Sequence, residues 1–301
     1  MKALKVQMNK PVKKSFSLIC ILLIFLLTSC VTLQRPVISA QEEDLLYPVT
    51  SYVPETFDWQ EIIDAETNSP AAGLWRFDFE SHDPDFPLIY HLVKIELAPE
   101  VNDGQKEDKA AHFKLSASQW EHTFSFAKRE HCLVAMNATP FGRKSLAGIF
   151  KMKGQVLSEP VERYGALGLR CDKDNTVTAA RVFESQTDEE LADWDAAFGG
   201  FFIVLKDGQV CTEFVRRSDS RSGAGVSADG KILYLLVVEG ERMSQSRGLS
   251  YPQCGQIFRA LGCSDALEFD GGGSSDLCIN GSSVLSYKVG RIQGNSFGFR
   301  N

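Results

Sequence analysis

The chain has 301 residues, of which 24% are charged and 44% hydrophobic, and its formal net charge is −7. This length and balance fit one large folded domain. An acidic chain is not expected to bind nucleic acid, whose phosphates need a positive surface. An anionic substrate would need a local cluster of positive charge, because the net negative charge of the chain repels it.

The first thirty residues have the pattern of a secretory leader. Five lysines precede an apolar run from Phe16 to Leu27, and Thr28-Ser29 then leads into Cys30. The run is shorter than the roughly 20 residues that span a bilayer, and such a layout is typical of a cleaved signal. The Leu-Thr-Ser-Cys sequence resembles the bacterial lipobox, which predicts lipidation of Cys30. An uncleaved membrane anchor is the alternative.

We therefore predict an extracytoplasmic protein that is lipid-anchored to a bacterial envelope membrane. Residues 1–29 would be the signal peptide, residues 30–55 a tether and residues 56–301 the functional domain. Loss of the leader removes five lysines and no acidic residue, so the mature chain is more acidic still. An oxidising compartment permits disulfides, and the sequence leaves open the pairing of the six cysteines in the domain, namely Cys132, Cys171, Cys211, Cys254, Cys263 and Cys278.

Strand patterns dominate the domain. Residues 88–97 are rich in β-branched and aromatic side chains, and residues 232–238 are nearly all apolar, which predicts a fully buried central strand. Asp207-Gly208 and Asp229-Gly230 are the pair that favours type I′ hairpin turns, and Lys153-Gly154 is a third turn signal.

Capping patterns predict three helices. They are Ser118 with Glu121, Thr187 with Glu190, and Ser250 before Pro252, the last helix ending at Gly262. Many strands with few helices predict an α+β domain with a large mixed, mainly antiparallel β-sheet core and a few flanking helices.

Residues 270–275, with the sequence Asp-Gly-Gly-Gly-Ser-Ser, are the strongest chemical signal. Short apolar segments on both sides predict strands that enter and leave it. Glycines allow positive φ and let backbone N–H groups approach an anion, and the two hydroxyls add donors. A glycine-rich turn capped by Asp270 is the alternative. The predicted phosphate-binding residues here are Gly271, Gly272, Gly273, Ser274 and Ser275.

Other motifs accompany this segment in a fixed order. They are Ala135-Met136-Asn137-Ala138 with Phe141, Gly199-Gly200, Arg221-Ser222-Gly223-Ala224-Gly225, Val237-Val238-Glu239-Gly240 and Asn295-Ser296-Phe297-Gly298. Their order and spacing resemble the phosphodiester glycosidase family over residues 88–301. That family includes hydrolases that remove N-acetylglucosamine from a phosphodiester, and many bacterial envelope proteins of unknown substrate.

The resemblance implies cleavage of a glycosidic bond next to a phosphate. We predict a hydrolase that removes a GlcNAc-like sugar from a sugar-1-phosphodiester in envelope or external glycans. The alternative is a non-catalytic surface lipoprotein that binds phosphorylated glycan. The predicted partners are the phosphorylated glycan and, through the lipid anchor, a membrane.

The side chains indicate individual roles. Arg221 can clamp a phosphate with its planar fork, and a carboxylate, Asp270 first and Glu239 second, can serve the anomeric carbon or a water. Asn137 can hydrogen-bond a sugar hydroxyl or orient that water. The alternatives are a surface arginine, a solvated turn acid and a turn asparagine, respectively.

Some positions depart from the family pattern. Glu268 stands where the family has asparagine, and alternate strand residues share a face, so the carboxylates of Glu268 and Asp270 would lie about 7 Å apart. The two groups would then titrate as a coupled pair or bind a divalent cation near Asp270; no other cofactor is implied. Thr139-Pro140 and Phe201 also differ and would reshape the rim of the site.

Overall fold

The computed structural model describes residues 48–81, 83–97, 112–143, 145–213 and 217–301. The predicted signal, Cys30 and most of the predicted tether lie outside the described residues. Contacts divide the chain into residues 1–39 and 40–301, and the described residues all lie in the second unit. In these ranges, no helix is both long and apolar enough to cross a bilayer.

The largest of three antiparallel sheets, the central sheet, contains eight strands. Their spatial order is β1 (Gln60–Asp64), β2 (Ser69–Ser81), β3 (Leu88–Glu96), β14 (Ile232–Val238), β13 (Arg221–Val226), β15 (Asp265–Glu268), β11 (Ile203–Lys206) and β12 (Gln209–Val210).

Two five-stranded sheets cover one face of the central sheet. One has the order β7 (Gln155–Ser158), β6 (Phe150–Met152), β10 (Ala196–Gly199), β8 (Ala166–Cys171) and β9 (Val177–Phe183). The other has the order β17 (Ser282–Ser283), β16 (Leu277–Ile279), β5 (Val134–Asn137), β18 (Gln293–Arg300) and β4 (Lys114–Glu121).

Helix α1 spans Thr123–Arg129 and helix α2 spans Tyr251–Ala260. The predicted cap of α2 is confirmed: Ser250 and Gln253 form a capping box, and Gly262 follows the helix at φ 79°. Short 3₁₀ turns occupy Val49–Ser51, Glu189–Asp193 and Gly272–Ser274. Inside the predicted tether, Tyr52 is buried and its carbonyl accepts a hydrogen bond from Tyr90.

The hydrophobic core has two layers, one on each face of the central sheet. Along β14, Leu233, Leu235 and Val237 pack into the layer shared with the two smaller sheets. The alternate residues, among them Leu236 and Val238, pack into the layer under α2. A strand buried on both faces needs an unbroken apolar run, which confirms the prediction for residues 232–238.

The predicted α+β class with a mainly antiparallel core is confirmed, with its strands divided over three sheets. The predicted start of one helix is wrong, and another predicted helix does not form. Ser118 lies in β4, opposite Ser296 of β18, and the helix there begins only at Thr123. Thr187 precedes a single 3₁₀ turn, because Ala196–Gly199 pairs on both sides in a sheet.

Candidate active site

The glycine loop of residues 270–275 follows β15 and precedes β16, as the sequence predicts. Gly271 and Gly272 must be glycine for two different structural reasons. A Cβ on Gly271 would lie 2.8 Å from the Ser220 carbonyl, and Gly272 has φ 58°. A Cβ on Gly273 would meet nothing closer than Glu241, at 3.9 Å. A Cβ there would make only ordinary contact with the Glu241 carboxylate, so close packing does not require a glycine at position 273.

The backbone of this loop hydrogen-bonds largely to the protein itself. The N–H of Gly272 donates to Ser220, that of Ser274 to Gly271, and that of Ser275 to Gly272. These amides are therefore not available to a ligand. Ser275 is buried, and its Oγ has no partner among the described residues.

Asp270 lies at the partly exposed start of the loop. Burial raises the pKa of its carboxyl to about 6, although the Ser274 hydroxyl and the nearby Arg291 guanidinium favour the ionised form and lower that pKa. Arg291 also donates to Ser274 Oγ over 3.3 Å. Asp270, Ser274 and Arg291 thus form one contiguous group, with a carboxyl that titrates near neutral pH and an adjacent cation.

A cleft of about 440 Å³ opens beside this group. Its wall contains Gly273 and Arg291 together with Arg242, Lys288 and the carboxylate of Glu241. Three cationic side chains in one cleft create a local positive site in a chain of net charge −7. Such a site can hold a phosphate next to a carboxyl group.

Asn137 connects the glycine loop to the sheets. Its amide nitrogen donates to the Asp270 carbonyl over 2.7 Å, and its Oδ1 accepts from the Ser222 hydroxyl and the Asp276 N–H. The side chain is only 1% exposed. The structure therefore supports a positioning role for Asn137, because three of its hydrogen-bonding positions already have protein partners.

Arg221 is also buried, with 5% of its surface exposed. Its guanidinium donates to the carbonyls of Leu249 and Arg217 and lies 4.4 Å above the Tyr251 ring. The remaining nitrogen, Nη1, would be 3.6 Å from a Cβ on Gly271. Arg221 thus lies on the interior side of the loop, whereas Arg291 contacts the loop from the cleft.

A model of the phosphodiester glycosidase family matches residues 130–299, more than half of the chain. The chain belongs to the phosphodiester glycosidase family. Two solved structures share the fold. A hypothetical protein from Synechocystis has a TM-score of 0.58 at 14% identity, over 75% of this chain and 62% of that one. The catalytic domain of zebrafish N-acetylglucosamine-1-phosphodiester alpha-N-acetylglucosaminidase, auto-inhibited by its pro-peptide, has a TM-score of 0.56 at 19% identity, over 82% and 88%.

The chain thus spans less than two thirds of the Synechocystis protein. No curated protein sequence matches it significantly. Membership of the family supports glycosidase-type hydrolysis, and the structural similarities, below 25% identity, support the fold.

Glu268 is completely buried, and the structure separates it from the cleft. It lies beside Gly223 of β13, and Cys254 of α2 and Arg221 are the groups that lower its pKa. Burial nevertheless raises that pKa to about 8. Neither carboxyl oxygen has a well-formed hydrogen bond among the described residues. Asp270 does not contribute to the pKa shift of Glu268, nor Glu268 to that of Asp270, so the predicted coupling of the two carboxyls gains no support from these shifts.

Glu239 lies in a second cleft, of about 530 Å³. Its carboxylate accepts hydrogen bonds from the N–H and the hydroxyl of Ser286 and contacts His91, whose other ring nitrogen is 2.6 Å from Asp78. Burial opposes ionisation of Glu239, but His91 and Ser286 hold its pKa below the ordinary value. Glu239 is therefore a paired carboxylate that lines this second cleft, and its predicted catalytic role stays a prediction.

The cationic wall of the cleft was not predicted from the sequence. Arg242, Lys288 and Arg291 come from two loops that are distant in sequence, and the fold alone brings them to Gly273. The only available signal was the proximity of Arg291 to the Asn295 motif. No group of three or more His, Cys, Asp or Glu in the described ranges is arranged to hold a metal ion; a divalent cation near Asp270 stays a prediction.

Proposed function

We propose that this chain hydrolyses sugar-1-phosphodiesters and releases a GlcNAc-like sugar from envelope or external glycans. The observation that carries the proposal is Asp270, whose pKa is raised to about 6 next to Arg291 and the cationic cleft. Family membership supports the reaction type. The name of the zebrafish neighbour describes an N-acetylglucosamine-1-phosphodiester substrate, which supports the choice of sugar.

The cleft suggests how substrate would be held. Arg291, Arg242 and Lys288, which all line the cleft, would bind the phosphoryl oxygens by charge-assisted hydrogen bonds. Gly273 would let the diester approach the loop, because it lines the cleft and has no side chain of its own. The anomeric carbon would then lie near Asp270.

The chemistry follows from the leaving group. A phosphate monoester leaves readily as an anion, so the step needs mainly an activated nucleophile and a stabilised leaving phosphate. Above pH 6 Asp270 is largely a carboxylate and would take a proton from the attacking water. The water oxygen would bond to the anomeric carbon as the bond from that carbon to the phosphate oxygen breaks, and Arg291 would neutralise the departing monoester.

The proposed setting is the outside of a bacterial membrane, with anchoring through Cys30. It rests on the sequence pattern of residues 1–30 alone. A Cys30→Ser variant should lose detergent-phase partitioning. If that variant partitions as the wild type does, the lipoprotein assignment fails.

The deciding experiment is turnover of a panel of chromogenic GlcNAc-1-phosphodiesters, with Asp270→Asn as the matched variant. We expect the wild type to release both GlcNAc and the phosphomonoester, and Asp270→Asn to bind but not to cleave. If the wild type binds the panel without turnover, the alternative of a non-catalytic glycan-binding lipoprotein replaces the hydrolase. If it does neither, both are excluded for this sugar.

A further inference from the structure

Trp120 combines two features that core packing does not explain. Its side chain is 41% exposed at the end of β4. Its backbone has φ 57°, a left-handed conformation that is rare and costly for a bulky residue. Strain of this kind is concentrated at functional sites, where surrounding structure enforces it.

Contacts lead from Trp120 to the candidate active site. The Trp120 ring meets the Phe141 ring edge-on, with centroids 5.7 Å apart. The guanidinium of Arg291 lies 5.4 Å from the Phe141 ring and donates to Ser274 Oγ. The order is therefore carboxyl group of Asp270, hydroxyl of Ser274, cation of Arg291, and then the two aromatic rings.

The backbone fixes this arrangement. Glu121, next to Trp120, pairs with Gln293, whose side chain donates to the Ser274 carbonyl. A Cβ on Gly294 would lie 2.8 Å from Phe141 Cβ, so the glycine allows the ring to lie against β18. Trp120 and Phe141 are thus held at a fixed position relative to the glycine loop.

We propose that Trp120, supported by Phe141, forms a stacking subsite for a pyranose ring on the aglycone side of the phosphate. This inference rests on the proposed function. With the anomeric carbon at Asp270 and the phosphate at Arg291, the next group along a diester points toward the rings. The C–H face of a pyranose is apolar and packs on an exposed indole, while its hydroxyls stay in water.

The test compares two substrates of the full chain. Both are GlcNAc-1-phosphodiesters, one esterified to methanol and the other to a primary hydroxyl of a methyl hexopyranoside. We expect the wild type to prefer the ring-bearing diester in kcat/KM by about tenfold, the effect of one good aromatic contact. Trp120→Gly should lose that preference and cleave the methyl diester as the wild type does, whereas Trp120→Phe should retain most of it.

Controls separate binding from folding. Glycine accepts φ 57° without strain. This relief should offset the loss of the Trp120 contact with Phe141, so Trp120→Gly should melt close to the wild type. Leu157→Ala removes another exposed apolar side chain, from β7, and should leave the preference unchanged.

Equal slowing of both diesters in Trp120→Gly, or an unchanged preference, overturns the subsite and leaves the hydrolase intact. If the wild type cleaves neither diester, calorimetric binding decides. Weaker binding of only the ring-bearing diester by Trp120→Gly supports the subsite while the hydrolase fails. Equal binding of both diesters by the wild type, or binding of neither, overturns the subsite.

Discussion

Glu268 makes the stability of this protein depend on pH. Its carboxyl is fully buried, and burial raises its pKa from the ordinary 4.5 to about 8, although Arg221 and the Cys254 thiol partly favour the charged form. In the unfolded chain the group ionises at its ordinary pKa. As pH rises from 4.5 to 8, the unfolded state therefore releases a proton that the folded state still holds, and the free energy of unfolding falls.

The magnitude follows from the two pKa values. Each pH unit in that window lowers the free energy of unfolding by about 1.4 kcal/mol. The ionisation of Glu268 therefore lowers it by about 3 kcal/mol by pH 7, and the loss levels off above pH 8. Glu268→Gln keeps the shape and cannot ionise. We expect it to leave the free energy of unfolding nearly unchanged at pH 4.5 and to raise it by up to about 3 kcal/mol at pH 7.

Urea unfolding at half-unit steps from pH 4.5 to 8.5 measures this difference. The matched control is Glu159→Gln, which removes one carboxylate from an exposed loop position and should run parallel to the wild type. A difference between Glu268→Gln and the wild type that stays constant over this range would refute the reasoning, because it would place the pKa of Glu268 near its unfolded value.

Three further predictions concern the cleft and the loop. Arg291→Gln should move the acid limb of the pH–rate profile to higher pH, since the guanidinium lowers the pKa of Asp270; an unmoved limb would separate the two groups. Gly273→Ala should raise KM for the phosphodiester while changing the free energy of unfolding by less than about 0.5 kcal/mol. The control is Gly142→Ala, where the new methyl group would enter open space; an unaltered KM in Gly273→Ala would mean that substrate does not approach Gly273. Asn137→Ala should lower the free energy of unfolding by about 2–4 kcal/mol in chemical denaturation, because it leaves the Asp270 carbonyl and two donors without their partner; a smaller loss would contradict its structural role.

The sequence predicted best where local chemistry and tertiary packing agree. The α2 helix begins at a capping box and ends before a glycine, and both signals act within a few residues. The strand Ile232–Val238 was predictable because burial on both faces requires an unbroken apolar run. The Ser118 pattern misled because residues 114–121 gain more from pairing with β18 than from a helix.

Only those parts of the candidate site that are contiguous in the sequence could be predicted from it. Residues 270–275 are consecutive, so the glycines of the loop and Asp270 could be identified directly from the sequence. Arg291, by contrast, meets Asp270 only because β18 returns between β4 and β5. Strand alternation placed Glu268 beside Asp270, but β15 ends at Glu268, and the chain turns before the next side chain of that face.

The positions of the two acidic residues suggest that Glu268 and Asp270 have different roles in this chain. Glu268 and Arg221 lie in the protein interior beneath the loop, where the cation offsets part of the cost of a buried carboxyl group. Asp270 and Arg291 repeat the pairing of acid and cation next to the cleft, of which Arg291 forms part of the wall. The first pair affects how stable the loop's support is at a given pH, and the second governs what the loop can bind. Substitutions in the first pair should therefore change stability before catalysis, and those in the second pair catalysis before stability.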